Sequence, residues 1–211
     1  MAARSIYATL RERIEKDATR LAEHEKRAYL WFTRYQESIM GWQDDTRGGV
    51  DFDDVRRPAK SRQVVRPSSA EVGAFYFFLY RPMNARTLPY YDMFPLVVPI
   101  ERYQDGFLGI NFHYLNYRTR ARFFDSLYRS LYTERRDPLR SRLSMDYDIL
   151  DDSPKYEEFR PCVRRYHHKQ FRSPLLQVPD HEWVFALFLP VEMFKKRSRG
   201  AVWVESAKKI E

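Results

Sequence analysis

Cysteine is almost missing from this chain. Cys162 is the only one, which excludes an intrachain disulfide and any multi-cysteine metal centre. A lone thiol suits assembly in a reducing cytoplasm, and its plain reading is a small buried hydrophobe. No apolar run approaches the roughly 18 residues of a membrane-crossing helix. The opening MAARSIYATLRERIEKD lacks the apolar segment of a signal peptide. The histidines (His24, His113, His167, His168 and His181) show no HExxH or other metal spacing. His113 reads as a packed or hydrogen-bonded histidine. There is no G-x-S-x-G, no phosphate-cradling glycine loop and no dinucleotide fingerprint. Pro179-Asp180 precedes Glu192 and Lys195, which stand one residue too far apart for the acid-x-Lys triplet of a restriction-type nuclease. The acidic cluster Asp146, Asp148, Asp151 and Asp152 lacks the glycine and closing glutamate of a calcium loop, and reads as capping and solvation. No catalytic residue, metal ligand or cofactor is therefore assigned.

Positive charge and aromatic rings are what the chain does have. Its net charge is +8 with a pI near 9.5, which favours an anionic partner. Nucleic acid is the commonest such partner, with acidic proteins and membrane surfaces as the others. Aromatic residues make up 16% of the chain, and they gather around Leu88–Leu115, LPYYDMFPLVVPIERYQDGFLGINFHYL. The runs Phe94–Ile100 and Phe107–Leu115 are short, β-branched and aromatic, and turn-formers bound them, so they predict paired antiparallel strands. Pro95 and Pro99 cannot donate to a ladder and place the first run at an edge or a bulge. Ala74–Tyr80 predicts a third strand. The fold class is α+β: a small curved antiparallel sheet or open barrel with flanking helices and a long N-terminal helix.

Three segments follow from the pattern. Residues 1–41 carry one apolar stripe, from Ile6 and Leu10 to Tyr35 and Ile39, on a charged helix stopped by Gly41. At about 1.5 Å per residue an unbroken helix of this length overhangs a compact domain, so it breaks or packs on another chain. Residues 42–71 are polar and aperiodic, an extended basic arm or linker. Residues 72–211 form the α+β core. Within it, Thr119 is expected to cap a helix from Arg120 to about Glu134, and Tyr156–His168 reads as a helix with acids early and bases late. Phe171–Val178 suits a strand, a short helix follows Asp180, and Trp203 docks on the core.

The candidate DNA-binding residues come from the basic clusters. Arg56, Arg57, Lys60, Arg62 and Arg66 lie in the arm, where no acid interrupts Val55–Ala70. Arg118, Arg120 and Arg122 lie around the helix after the sheet. Arg164, Arg165, His168, Lys169 and Arg172 form the densest group, interleaved with Tyr166 and Phe171. Lys195 and Lys196 stand near the C-terminal end. The same composition also suits an ordinary protein interface.

LPYYDMFPLVVPI, GFLGINFHYL with its arginine-rich sequel, EFRPCVRRY and EWVFALFLPVEMFKK, in this order, resemble a minor virion protein of T-even-like contractile-tailed bacteriophages, the DNA end protector. The resemblance spans roughly Val72–Ser206. It implies a virion protein, assembled in the host cytoplasm, that binds the terminus of packaged double-stranded DNA near the neck or tail. It implies a role without catalysis, with other neck or tail proteins as further partners and no membrane or small-molecule ligand. It carries over no DNA-contacting residues. The alternative is a purely structural tail, neck or baseplate subunit making protein–protein contacts. A nuclease is the third reading.

Overall fold

The computed structural model describes residues 64–121, 161–179, 183, 186 and 191–209. Several expectations lie outside these residues. They are the long helix, most of the arm with Arg56, Arg57, Lys60 and Arg62, the helix beyond residue 121 with Arg122, and the acidic cluster at 146–152.

The strands are β1 (Val64–Val65), β2 (Tyr76–Phe77), β3 (Tyr91–Asp92), β4 (Leu96–Tyr103), β5 (Gly106–Asn111), β6 (Val163–His167), β7 (Leu175–Gln177) and β8 (Phe194–Lys195). Six of them form one antiparallel sheet in the order β1-β7-β2-β4-β5-β6, while β3 and β8 pair separately. The sheet is open, with β1 and β6 as its edges, so it is not closed into a barrel.

Alternation within the aromatic runs explains why the sheet is buried on both faces. Phe75, Phe77 and Leu79 enter one core, whereas Tyr76, Phe78 and Tyr80 enter a second. Successive side chains of a strand point to opposite faces, so an all-apolar run needs both faces covered. Leu96, Val98, Leu108 and Ile110 join the first core, and Val97 and Phe107 the second. The second core is mostly aromatic. Neighbouring rings among Phe78, Tyr80, Phe107, Tyr166 and Phe171 lie 4.8 to 6.5 Å apart, tilted or edge-on as ring quadrupoles favour. The segment between β6 and β7 crosses this core. It is fastened by Arg172 N–H to the Leu79 carbonyl (2.8 Å), Arg81 N–H to the Gln170 carbonyl (3.1 Å) and a Tyr80–Phe171 bridge.

The prolines of the first run mark a bulge, since β4 lies inside the sheet and its register shifts between Pro99 and Glu101. The expected helix over 156–168 is corrected: residues 163–167 are a strand, paired with β5 through five registered residues. Val163 and Tyr166 are good strand formers, and burying Tyr166 among the rings outweighs the charge gradient that suggested a helix. Gly106 makes this pairing possible. A Cβ there would meet the Tyr166 carbonyl oxygen at 1.9 Å. Asn116, rather than Thr119, caps the helical turn at 117–121, accepting from Thr119 N–H at 3.0 Å.

Arg120 is wholly buried. Its Nε donates to the Leu115 carbonyl (2.7 Å), and Nη2 donates to the His113 carbonyl (3.3 Å) and to the Glu192 carboxylate. Neither side chain of the ion pair reaches solvent. The Tyr117 and Trp203 rings flank the guanidinium. Trp203 Nε1 donates to the same His113 carbonyl (2.9 Å), which docks the helix Arg199–Lys208. His113 itself is a hydrogen-bonded core histidine, with Nδ1 2.6 Å from Asp92 Oδ2. Cys162 is buried, and burial pushes its thiol up to about 12.

Breaking one partner of a buried ion pair strands the other charge. Glu192→Ala is therefore expected to destabilise the fold by about 3–5 kcal/mol, read as a lower denaturation midpoint in urea. The double change Arg120→Met, Glu192→Leu should cost much less.

Candidate nucleic-acid interface

The interface is built on β6, the edge strand that the close approach at Gly106 holds to the sheet. Among the described residues β6 is paired on one side only. Its alternation sends Tyr166 into the aromatic core and leaves Arg165 and His167 beside the β4–β5 turn. There Asp105 takes an ion pair from Arg165 and a 3.0 Å contact from His167 Nδ1, and Arg165 lies over the Tyr103 ring at 3.5 Å. Burial works against ionisation of Asp105, but the His167 hydrogen bond and the Arg165 charge hold its carboxyl below the usual range. Arg164 turns to the other side and stacks on the Tyr114 ring at 4.2 Å.

Three depressions adjoin this edge. One, of about 380 Å³, is lined by Arg81, Met83, Arg86, Gln170 and Arg172 among others. A second of about 380 Å³ shares Met83 and Gln170 and adds Asp105, His167, His168 and Lys169. The third, about 290 Å³, shares Pro82 with the first and is lined by Tyr80, Tyr114, Arg164, Arg165 and Tyr166 among others. Asp105 is the single acid in the two outer depressions. Lys196 positions the loop they share: it adopts a positive φ of 70° and its Nζ donates to the Arg86 and Leu88 carbonyls, both at 2.8 Å.

The structure thus gathers Arg164, Arg165, His168, Lys169 and Arg172 on one end of the sheet. Arg66 is exposed just after β1. Arg118 and Lys195 are exposed on other elements, Arg118 on the helical turn at 117–121 and Lys195 on β8. One candidate is corrected in role: Arg120 is removed from any phosphate by complete burial against Glu192. Lys196 is exposed, and its ammonium also donates to two backbone carbonyls. Arg81 and Arg86, exposed bases in the turn-rich stretch RPMNARTLP, belong to no basic cluster in the sequence, and the tyrosines of the third depression come from distant segments.

Among the described residues no group of His, Cys, Asp and Glu is placed to hold a metal ion, and no helix is long and apolar enough to cross a membrane. An open antiparallel sheet with short helices around it makes this a mixed α and β protein. A family model described as phage T4 terminal DNA protecting protein matches residues 43–210, and the chain belongs to this family. No curated protein and no solved structure matches it.

Burial lowers the His168 pKa from its ordinary 6.5, outweighing the opposing pull of Asp105, so the ring is neutral at pH 7. Its positive charge arrives only as pH falls through that lowered value, while Asp105 stays ionised. Affinity for duplex DNA is expected to rise as pH falls below about 6.5, and His168→Ala should flatten part of that rise in titrations at fixed salt. Asp105→Asn should free Arg165 and tighten binding by at most about fivefold, the size of an exposed ion pair, with a steeper salt dependence.

Proposed function

We propose that this chain is a structural virion protein of a tailed phage that binds the end of the packaged double-stranded DNA near the neck or tail and shields it without catalysis. The observation that carries this reading is the basic edge of β6, flanked by Arg81, Arg86, Lys169 and Arg172, in a chain of the terminal DNA protecting family. Phosphate contact by arginines and lysines is the main source of DNA affinity. Fixed strands and a short crossover hold these bases at set positions, as a passive clamp requires. Within this reading, residues 72–211 are the DNA-facing core. The helix at 1–41 and the arm at 42–71, with Arg56, Arg57, Lys60 and Arg62, reach along the duplex and to neighbouring virion proteins.

The test is exonuclease resistance of linear duplex in the presence of the protein. Arg164→Glu, Arg165→Glu and Lys169→Glu together should abolish protection and lower the salt slope of binding by about one per lost phosphate contact. Retained protection in a folded triple variant removes these residues from the site. Absent duplex binding at about 50 mM salt, with the protein still co-purifying with tail proteins, favours the purely structural subunit. Metal-dependent cleavage of linear DNA would establish an enzyme instead.

A further inference from the structure

A basic surface attracts duplex DNA anywhere along its length, so it does not explain how an end is told from the interior. The depression lined by Tyr80, Tyr114, Arg164 and Tyr166 does. It is a cavity of about 290 Å³, at the small end of the range for ligand sites, which begins near about 300 Å³. Its hydrogen-bonding inventory is unbalanced toward donors.

Both acids in its wall are committed. Asp92 Oδ1 accepts from the Phe94 N–H (3.0 Å), and Oδ2 takes Asn111 Nδ2 (3.1 Å) and His113 Nδ1 (2.6 Å). Glu205 accepts from the Tyr90 hydroxyl (3.0 Å) and Lys209 Nζ (2.8 Å) and is paired with Arg197. The donors are less fully used. The Tyr80 oxygen accepts the His167 N–H at 3.1 Å, which leaves its own O–H unspent. Tyr114 lies under the Arg164 guanidinium, which faces its ring at 4.2 Å. The Tyr166 hydroxyl, on a side chain that is 3% exposed, has no hydrogen-bond partner among the described residues. Burial raises the pKa of all three phenols, so they remain protonated donors at neutral pH. Arg164 is half-buried, stacked on Tyr114 and bonded to the Val163 carbonyl (2.8 Å), with no carboxylate within ion-pair distance among the described residues. A guanidinium drawn out of water without a counter-ion is costly, and an incoming anion relieves that cost.

We propose that this cavity receives the terminal phosphate monoester of a DNA strand, held by the Arg164 guanidinium and the hydroxyls of Tyr80, Tyr114 and Tyr166. The assignment rests on the reading of the protein as a DNA-end binder. A monoester offers three unesterified oxygens and close to two negative charges at neutral pH, because its second pKa lies near about 6. An internal diester offers only two such oxygens and one charge, and carries a sugar on both sides. The site therefore reads the chemistry of a strand terminus, whereas the outer depressions grip any phosphate.

The experiment is competition binding by the full chain with three duplexes of one sequence: blunt with terminal phosphates, blunt with terminal hydroxyls, and closed at both ends by hairpins. The phosphorylated duplex should bind about tenfold tighter than the hydroxyl-ended one, the worth of a hydrogen bond to a charged group. Arg164→Gln and Tyr166→Phe should each bring that ratio to near unity. Because the readout is a ratio between ligands for one variant, general weakening cancels. Tyr166→Phe keeps the ring in the aromatic core, so it decides the matter if Arg164→Gln fails to fold. If open ends are preferred to hairpins regardless of phosphorylation, the cavity assignment is overturned while the end-binding role stands. If open and closed duplexes bind equally, both fall.

Discussion

The buried ion pair between Arg120 and Glu192 is the constraint on which the arrangement of the described elements turns. A guanidinium excluded from water must satisfy several donors, and here it finds the Leu115 and His113 carbonyls as well as the Glu192 carboxylate. Those partners come from the segment after β5 and the segment before β8, so a single charge ties the chain leaving the main sheet to the chain entering the separate β3–β8 pair. The shared His113 carbonyl extends the tie to Trp203 and its helix. Replacing such a pair with apolar residues is often tolerated, whereas removing one member is not. The pair specifies a geometry more than it adds stability.

That geometry divides the basic residues into two kinds. Arg120 and Lys196 are structural cations, one closing a core and the other holding a loop to its neighbour through carbonyl oxygens. Arg164, Arg165, Lys169 and Arg172 stand on or beside an edge whose own acid, Asp105, is already occupied. The proposed role of this edge draws on charges that the fold does not need for itself. Family membership and the location of the surplus charge support the same reading from independent directions.

Much of the sheet was legible because alternation is local. AFYFFLY, FPLVVPI and FLGIN announce themselves as strands through β-branched and aromatic side chains, and Pro99 announces an irregularity through its missing N–H. The strand at Val163–His167 was not legible. Its acids-then-bases order mimics a helix, and only the partner strand and the buried Tyr166 ring decide against that. Arg120 illustrates a second limit. Nothing around it distinguishes it from Arg118, because its counter-ion lies 72 positions away. The donor-rich cavity is a third case, assembled from tyrosines of distant segments that share no motif.

The edge at Val163–His167 also bears on self-association. An unpaired strand offers its amides and carbonyls to any extended segment, and sheets commonly grow or aggregate along such borders. Here the border carries guanidinium groups at two consecutive positions, so a second copy approaching in antiparallel fashion would set arginine against arginine with no acid between them except Asp105. Like charges facing across a ladder repel. Charge repulsion of this kind works against pairing of two such edges.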